Sequence, residues 1–359
     1  MEICRFAAAD YSRQTSSAVS IIYQIFYGEH IMRKKILSLV LLLILCFFAG
    51  ILLGSVPLSP ASVLRCLAGF DRDSTAYVLV YTVRFPRAAG ACLAGMGLAT
   101  AGVLLQYVMN NALASPNTIG VNSGAGFAVM LALLLGNGQA SCIPAAAFLG
   151  ALATSLAIFG LAYMADSSRT TIILAGITVS SFLNAGINTI KLLDTDISVN
   201  LTSFMIGSLS GITYEHLKIP GAAILAALLM TLIFARSVNV LGLGDDIARS
   251  LGLNVPVVRL SILVLSSVLA GCVVSYAGLL SFVGLVVPHI CRRLFGNDAR
   301  YLLPCSALLG AIFVLICDIL GRVLFAPFEL PAGVLMSFIG GPFFLYLLLK
   351  KKGGRRVNA

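Results

Sequence analysis

The chain has 359 residues, 59% of them hydrophobic and only 11% charged, with a mean hydropathy of +1.00 and a formal net charge of +10. A soluble domain carries about a quarter charged residues, so a water-facing surface of this size is excluded and the composition describes a polytopic membrane protein. The positive balance shows no basic patch interleaved with aromatics. That argues against nucleic acid and for membrane orientation and anionic lipid head groups.

Residues 1–31 are mixed and only moderately apolar, and are expected to form an N-terminal tail or to lie upstream of the true start. At Met32 the sequence MRKKILSLVLLLILCFFAGILLG sets a basic flank before a long apolar run. The run 36–54 is too long for a signal-peptide core and has no clear A-x-A site, so it reads as the first span. A span needs roughly 20 apolar residues. Ten candidates follow in order: 36–54, 86–107, 119–135, 143–163, 172–192, 220–237, 256–275, 280–294, 302–320 and 332–349. The eighth is short, with a bend expected near Gly278. With the N-terminus inside, seventeen of the 24 Lys and Arg residues fall on the inner side and seven on the outer. That bias favours ten spans with both termini in the cytoplasm. The expected organisation is a tail at 1–31, a ten-helix domain at 32–352 and a cytoplasmic tail at 353–359.

The second span is rich in small residues, with Gly95, Ala99 and Gly102 at helical spacing, a face that lets helices approach closely in lipid. The loop 193–219 contains LTSFMIGSLSGITYEHL, too polar to span, and is expected to hold a short surface helix. The loop 238–255, VNVLGLGDDIARSLGLNV, reads as a short helix that starts at Asp245 and Asp246 and ends at Gly252. It forms an ordered cytoplasmic knob, either a plain loop or a docking piece for a cytoplasmic protein.

The candidates for chemistry are few. His30, His216 and His289 lie far apart, no H-E-x-x-H spacing occurs, and the nine cysteines are scattered without a CxxC pair, so no metal site or disulfide framework is expected. His289, Arg292 and Arg293 fall at the inner end of the eighth span, where cations suit the helix dipole and the inner leaflet. Asp318 and Arg322, spaced i, i+4, read either as a helix-end ion pair or as an arginine facing outward to an acidic partner. Arg84 and Arg87 in VRFPRAAG lie on the outside, against the usual bias, and suit carboxylate recognition; Pro86 reads as a helix start. Asn110, Asn111, Asn117 and Asn122 crowd the turn between spans two and three, as caps or as the lining of a gate. No G-x-x-x-x-G-K-[ST] is present, so the chain is not expected to hydrolyse ATP. The span interiors are nearly devoid of ionisable groups and hold no carboxylate ladder of the kind an ion-driven carrier needs.

Three blocks resemble one family. VRFPRAAGACLAGMGLATAGVLLQYVMNNALASPNTIGVNSGAG, GLLSFVGLVVPHICRRLFGNDARYLLP and CDILGRVLFAPFELPAGVLMSFIGGPFFLYLLLKK are similar, in order, to the R-x-P-R … N-P-L-A, F-V-G-L-x-x-P-H-x-x-R and D-x-x-x-R … E-L-P-x-G blocks of FecCD-type permeases. These belong to importers of iron–siderophore complexes, haem or vitamin B12. The resemblance implies an all-α, type II ABC importer permease-like bundle in the bacterial cytoplasmic membrane. It also implies a second permease subunit, in a homodimer or with a close relative, with the substrate path along the subunit boundary. Two cytoplasmic ATPases that carry ATP and Mg, and an extracytoplasmic binding protein, complete the set; no cofactor is bound by this chain. It places the gate at Asn111 and Leu113 and more loosely at Thr170 and Thr171. It places ATPase coupling at Gly244, Asp245, Asp246, Ala248, Arg249, Leu251 and Gly252, and binding-protein docking at Arg84, Arg87 and Arg322. Ala112 stands where the family has Pro. The rival readings are an ion-coupled secondary transporter and an intramembrane enzyme.

Overall fold

The computed structural model describes residues 32–70, 72–136, 140–164, 169–194 and 201–353. The expected tails, 1–31 and 353–359, lie outside the described residues except for Gly353, which closes the last helix. The chain divides into two units, 1–42 and 43–359. The described part of the first is the opening of helix α1 (Met32–Leu52). The second holds a helical array: α2 (Pro60–Leu67), α3 (Thr75–Val108), α4 (Val121–Leu135), α5 (Ile143–Met164), α6 (Arg169–Leu193), α7 (Thr202–Ile206), α8 (Tyr214–Ile233), α9 (Ala235–Gly242), α10 (Asp245–Ser250), α11 (Val255–Ala277), α12 (Val283–Phe295), α13 (Ala299–Val323) and α14 (Ala332–Gly353). No strand occurs among the described residues.

Each of the ten predicted spans coincides with a helix. Among the described residues, α1, α3, α5, α6, α8, α11 and α13 are long and apolar enough to cross a membrane, while α4 and the apolar part of α14 are shorter. The eighth span is α12, with 13 residues, preceded as expected by a break that starts at Gly278.

Helix α3 is the axis of the second unit and packs against α13, α11, α12 and α8; α5 joins α11 to the α4–α6 group. The small face of α3 explains these contacts. A Cβ added at Gly95 would lie 2.1 Å from the Gly310 carbonyl oxygen of α13, and one at Gly102 would lie 2.0 Å from that of Gly284 in α12. In lipid, apolar burial gives little drive for association, and backbone approach of this kind replaces it. The outer helices keep large apolar side chains exposed, among them Leu174, Ile177 and Phe182 on α6 and Leu229 and Ile233 on α8.

Two boundaries differ from the sequence reading. Helix α3 begins at Thr75, where Ser74 caps it, and not near Pro86. A π turn at Leu79–Arg84 lets the helix run through: Phe85 N–H donates to the Val80 carbonyl, five residues back, and the Pro86 ring is accommodated by the looser turn. The sixth span ends at Ile233, and α9 is a separate piece. The short helix expected at the surface is α7, which has no buried residue and is stitched to the break before α12. Leu279 N–H donates to Phe204 O at 2.9 Å, Ser208 N–H to Ala277 O at 2.9 Å, and Gly333 N–H to Gly207 O at 3.1 Å. Irregular backbone inside a membrane must find its partners within the protein, and α7 and its flank supply them.

Candidate functional site

The ends of α3 mark two polar regions on opposite sides of the second unit. At the first, Arg84, Arg87 and Arg322, expected to face outward, are 3%, 6% and 3% exposed. Arg84 Nη1 donates to the carbonyls of Ile51 and Leu52 at 2.9 and 2.8 Å, and Arg322 donates to those of Leu53 and Gly50 at 3.0 and 3.1 Å. The last carbonyls of a helix lack partners within it, so two guanidinium groups from other helices close the C-terminus of α1 and meet its negative dipole end. Arg87 Nε bonds Asp318 Oδ1 at 2.9 Å and its Nη1 bonds Glu329 Oε2 at 2.7 Å, while Ser55 Oγ donates to Glu329 Oε1. Asp318, 1% exposed, also pairs with Arg322 at 3.0 Å, the helix-end pair that the i, i+4 spacing anticipates. Burial alone raises the Glu329 carboxyl, but the Arg87 and Ser55 hydrogen bonds reverse this and hold its pKa below the usual carboxylate range.

At the other end of α3 lies a cavity of about 1090 Å³. Asn111 and Leu113 line it together with His289 and Arg292, so the turn after α3 and the P-H-x-x-R segment meet in space. Asn111 Oδ1 accepts the Leu113 N–H at 2.9 Å, which caps the turn, and Asn110 holds it with φ +45°. Arg292 lies over the Tyr107 ring, 5.5 Å from its centre, and bonds Gln106. Tyr107 O–H donates to the Asn297 carbonyl. Thr170 and Thr171 stand apart from this cavity, in the first turn of α6.

The knob follows α9. Gly244, at φ +112°, turns the chain into α10, and Gly252, at φ +81°, turns it out. Asp245 and Asp246 occupy the first turn, where the helix dipole favours carboxylates. Ala248 is fully buried, whereas Leu243, Ile247 and Leu251 are 58%, 50% and 63% exposed. Ile247 and Leu251, four apart, form an apolar stripe facing away from the protein, with Leu243 exposed before the Gly244 turn and Asp246 and Arg249 exposed beside it. Asp245 points the other way: both its carboxylate oxygens accept from Arg259 Nη2 of α11, at 2.8 and 2.7 Å.

The sequence reading missed Gln106, Tyr107, Asn239, Arg259 and Asp298. Of these, Asp298 had a legible signal, an acidic N-cap before Ala299. Hydrogen bonding from Arg300, with further help from Asn239, pulls its pKa down to about 2. Helix α6 adds another feature. At about 100° per residue, Thr170, Ser181, Asn184 and Asn188 fall within about 60° of one another, and all four are exposed, with the exposed Ile177 among them. Among the described residues no group of three His, Cys, Asp or Glu side chains could hold a metal ion.

A sequence model described as the FecCD transport family matches residues 42–350. The iron-uptake system permease protein FeuB of Bacillus subtilis is 38% identical over 315 residues, covering 87% of this chain and 94% of that protein. The hemin transport system permease protein HmuU of Yersinia pestis is 33% identical, covering 88% and 96%. A solved structure of a metal-chelate type ABC transporter in an inward-facing conformation superposes with a TM-score of 0.77 at 28% identity, over 89% of this chain and 99% of that one.

Proposed function

The chain belongs to the FecCD transport family and is a permease subunit of an ATP-binding cassette importer; we propose that its cargo is an iron(III)–siderophore complex, or another large chelate such as haem or cobalamin. The relatives' iron and hemin systems support that class of cargo. The knob end faces the cytoplasm of a bacterial cell and both termini lie there, in keeping with the excess of Lys and Arg assigned to that side. The domain is 32–352, with tails on either side.

The single observation that carries the mechanism is the set of exposed apolar side chains Leu243, Ile247 and Leu251 on and beside a short helix anchored to the protein by its other face. Such a stripe in water asks for a cover, and a cytoplasmic ATPase supplies it. ATP and Mg belong to two such partner subunits, and this chain binds no cofactor of its own. When the ATPases close, the push on Gly244–Gly252 moves α11 and its neighbours as rigid bodies between two arrangements. A second copy of the chain covers α6, whose exposed amides and hydroxyls suit a hydrated path at a subunit boundary better than lipid. Asn111 and Leu113, with Thr170 and Thr171, form the inner gate. An extracytoplasmic binding protein docks at the opposite end, where Arg84, Arg87 and Arg322 would reach its carboxylates by giving up the carbonyls and carboxylates they now hold.

The test is uptake of a radio-iron siderophore into proteoliposomes holding the chain, its ATPases and its binding protein. Uptake that requires ATP inside is expected. Uptake by the chain alone, driven by an ion gradient, would overturn the reading and favour a secondary transporter.

A further inference from the structure

The knob has an inward face as well as an outward one, and the inward face ends in two side-chain joints. The first is the Arg259–Asp245 fork. Arg259 is 4% exposed on α11, which packs on α3, and Asp245 is the first residue of α10. The second lies one helix earlier. Asn239 of α9 donates through Nδ2 to Asp298 Oδ1 at 2.8 Å and accepts the Ala299 N–H on Oδ1 at 2.7 Å, so one amide holds both the cap and the first turn of α13. Between the joints, Gly242 lies so close to the Tyr107 ring that a Cβ there would sit 2.8 Å from it.

Resting on the importer reading, we infer that Arg259 is a positioning residue for energy coupling: its fork to Asp245 converts movement of α10 into movement of α11, and the Asn239–Asp298 clasp carries the same movement to α13. The geometry favours this over a plain surface contact. Glycines of positive φ flank the short helix at both ends, so the side chains that tie it down give a push on it a route into the bundle besides the backbone. Both Asp245 oxygens accept from one guanidinium nitrogen, a charge-assisted contact stronger than a neutral hydrogen bond. Asp246, Ile247 and Arg249, on the other face, remain free to meet the ATPase.

The experiment uses the complete reconstituted transporter and reads ATP hydrolysis, ATPase co-purification and cargo carried per ATP. In Arg259→Gln, the ATPase stays bound and hydrolysis stays within about twofold, while cargo per ATP falls about tenfold. The charge-exchanged pair Arg259→Asp with Asp245→Arg restores most of that ratio, and Asn239→Ala lowers it in the same sense but less. An unchanged ratio in Arg259→Gln, or a loss that the exchanged pair does not rescue, overturns the inference. Should Arg259→Gln fail to assemble, Asp245→Asn removes the charge at a half-exposed position and decides the matter by the same ratio. A wild-type complex with no ATP-dependent uptake would instead overturn the importer reading.

Discussion

The two ends of α3 use charge in opposite ways. At one end, Arg84, Arg87 and Arg322 are buried and engaged with α1 carbonyls, Asp318 and Glu329, so the polar groups there hold helices to one another. At the other, a single fork and a single amide tie down a knob whose outer face is apolar and exposed. A cluster whose partners all lie inside the chain contributes to the fold. A surface whose apolar face has no cover is built for another molecule. The difference teaches that a run of arginines is weaker evidence for a docking surface than three leucine-sized side chains left exposed on and around one short helix.

The largest expected effect is at the arginine end. Arg87→Met leaves Asp318 buried with only Arg322 beside it, and loss of one member of such a network costs about 3 kcal/mol or more. Thermal unfolding in detergent should show this, and adding Asp318→Asn should recover a large part of it; a neutral Arg87→Met would break the contrast. A smaller effect is expected from Glu329. Its folded pKa is depressed, so its contribution is present above the unfolded value, about 4.3, and is lost as pH falls through the lower folded value. Glu329→Gln should flatten that acid-side decline, and an unchanged slope would show that the carboxylate does not matter to the fold. The smallest effect on stability belongs to the knob: Ile247→Asp with Leu251→Asp should change unfolding by no more than about 0.5 kcal/mol, yet abolish co-purification of the ATPase. If the fold collapses along with binding, the stripe is part of the core after all.

Much of the fold was legible from the residues. Ten apolar runs became ten helices, Gly95, Ala99 and Gly102 marked the face on which α3 meets α13 and α12, and the Gly244–Gly252 punctuation marked α10. Less of the candidate site was legible. Asn111 and Leu113 could be placed beside His289 and Arg292 only by folding, since more than half the length of the domain separates them in sequence. The start of α3 was misplaced because Pro86 looks like a helix boundary until a π turn relieves it.

Hydrophobic runs, small-residue spacing and glycine punctuation are local properties, set by what lipid and backbone sterics permit, and these the amino-acid sequence determined by itself. The direction of a guanidinium group is not local. Arg84 turns inward because the end of α1, about thirty residues away, has open carbonyls, and Arg87 does so because Asp318 and Glu329 arrive beside it from the far end of the chain. Only the tertiary structure decides such pairings, because a buried charge takes whichever partner the packing brings within hydrogen-bond reach.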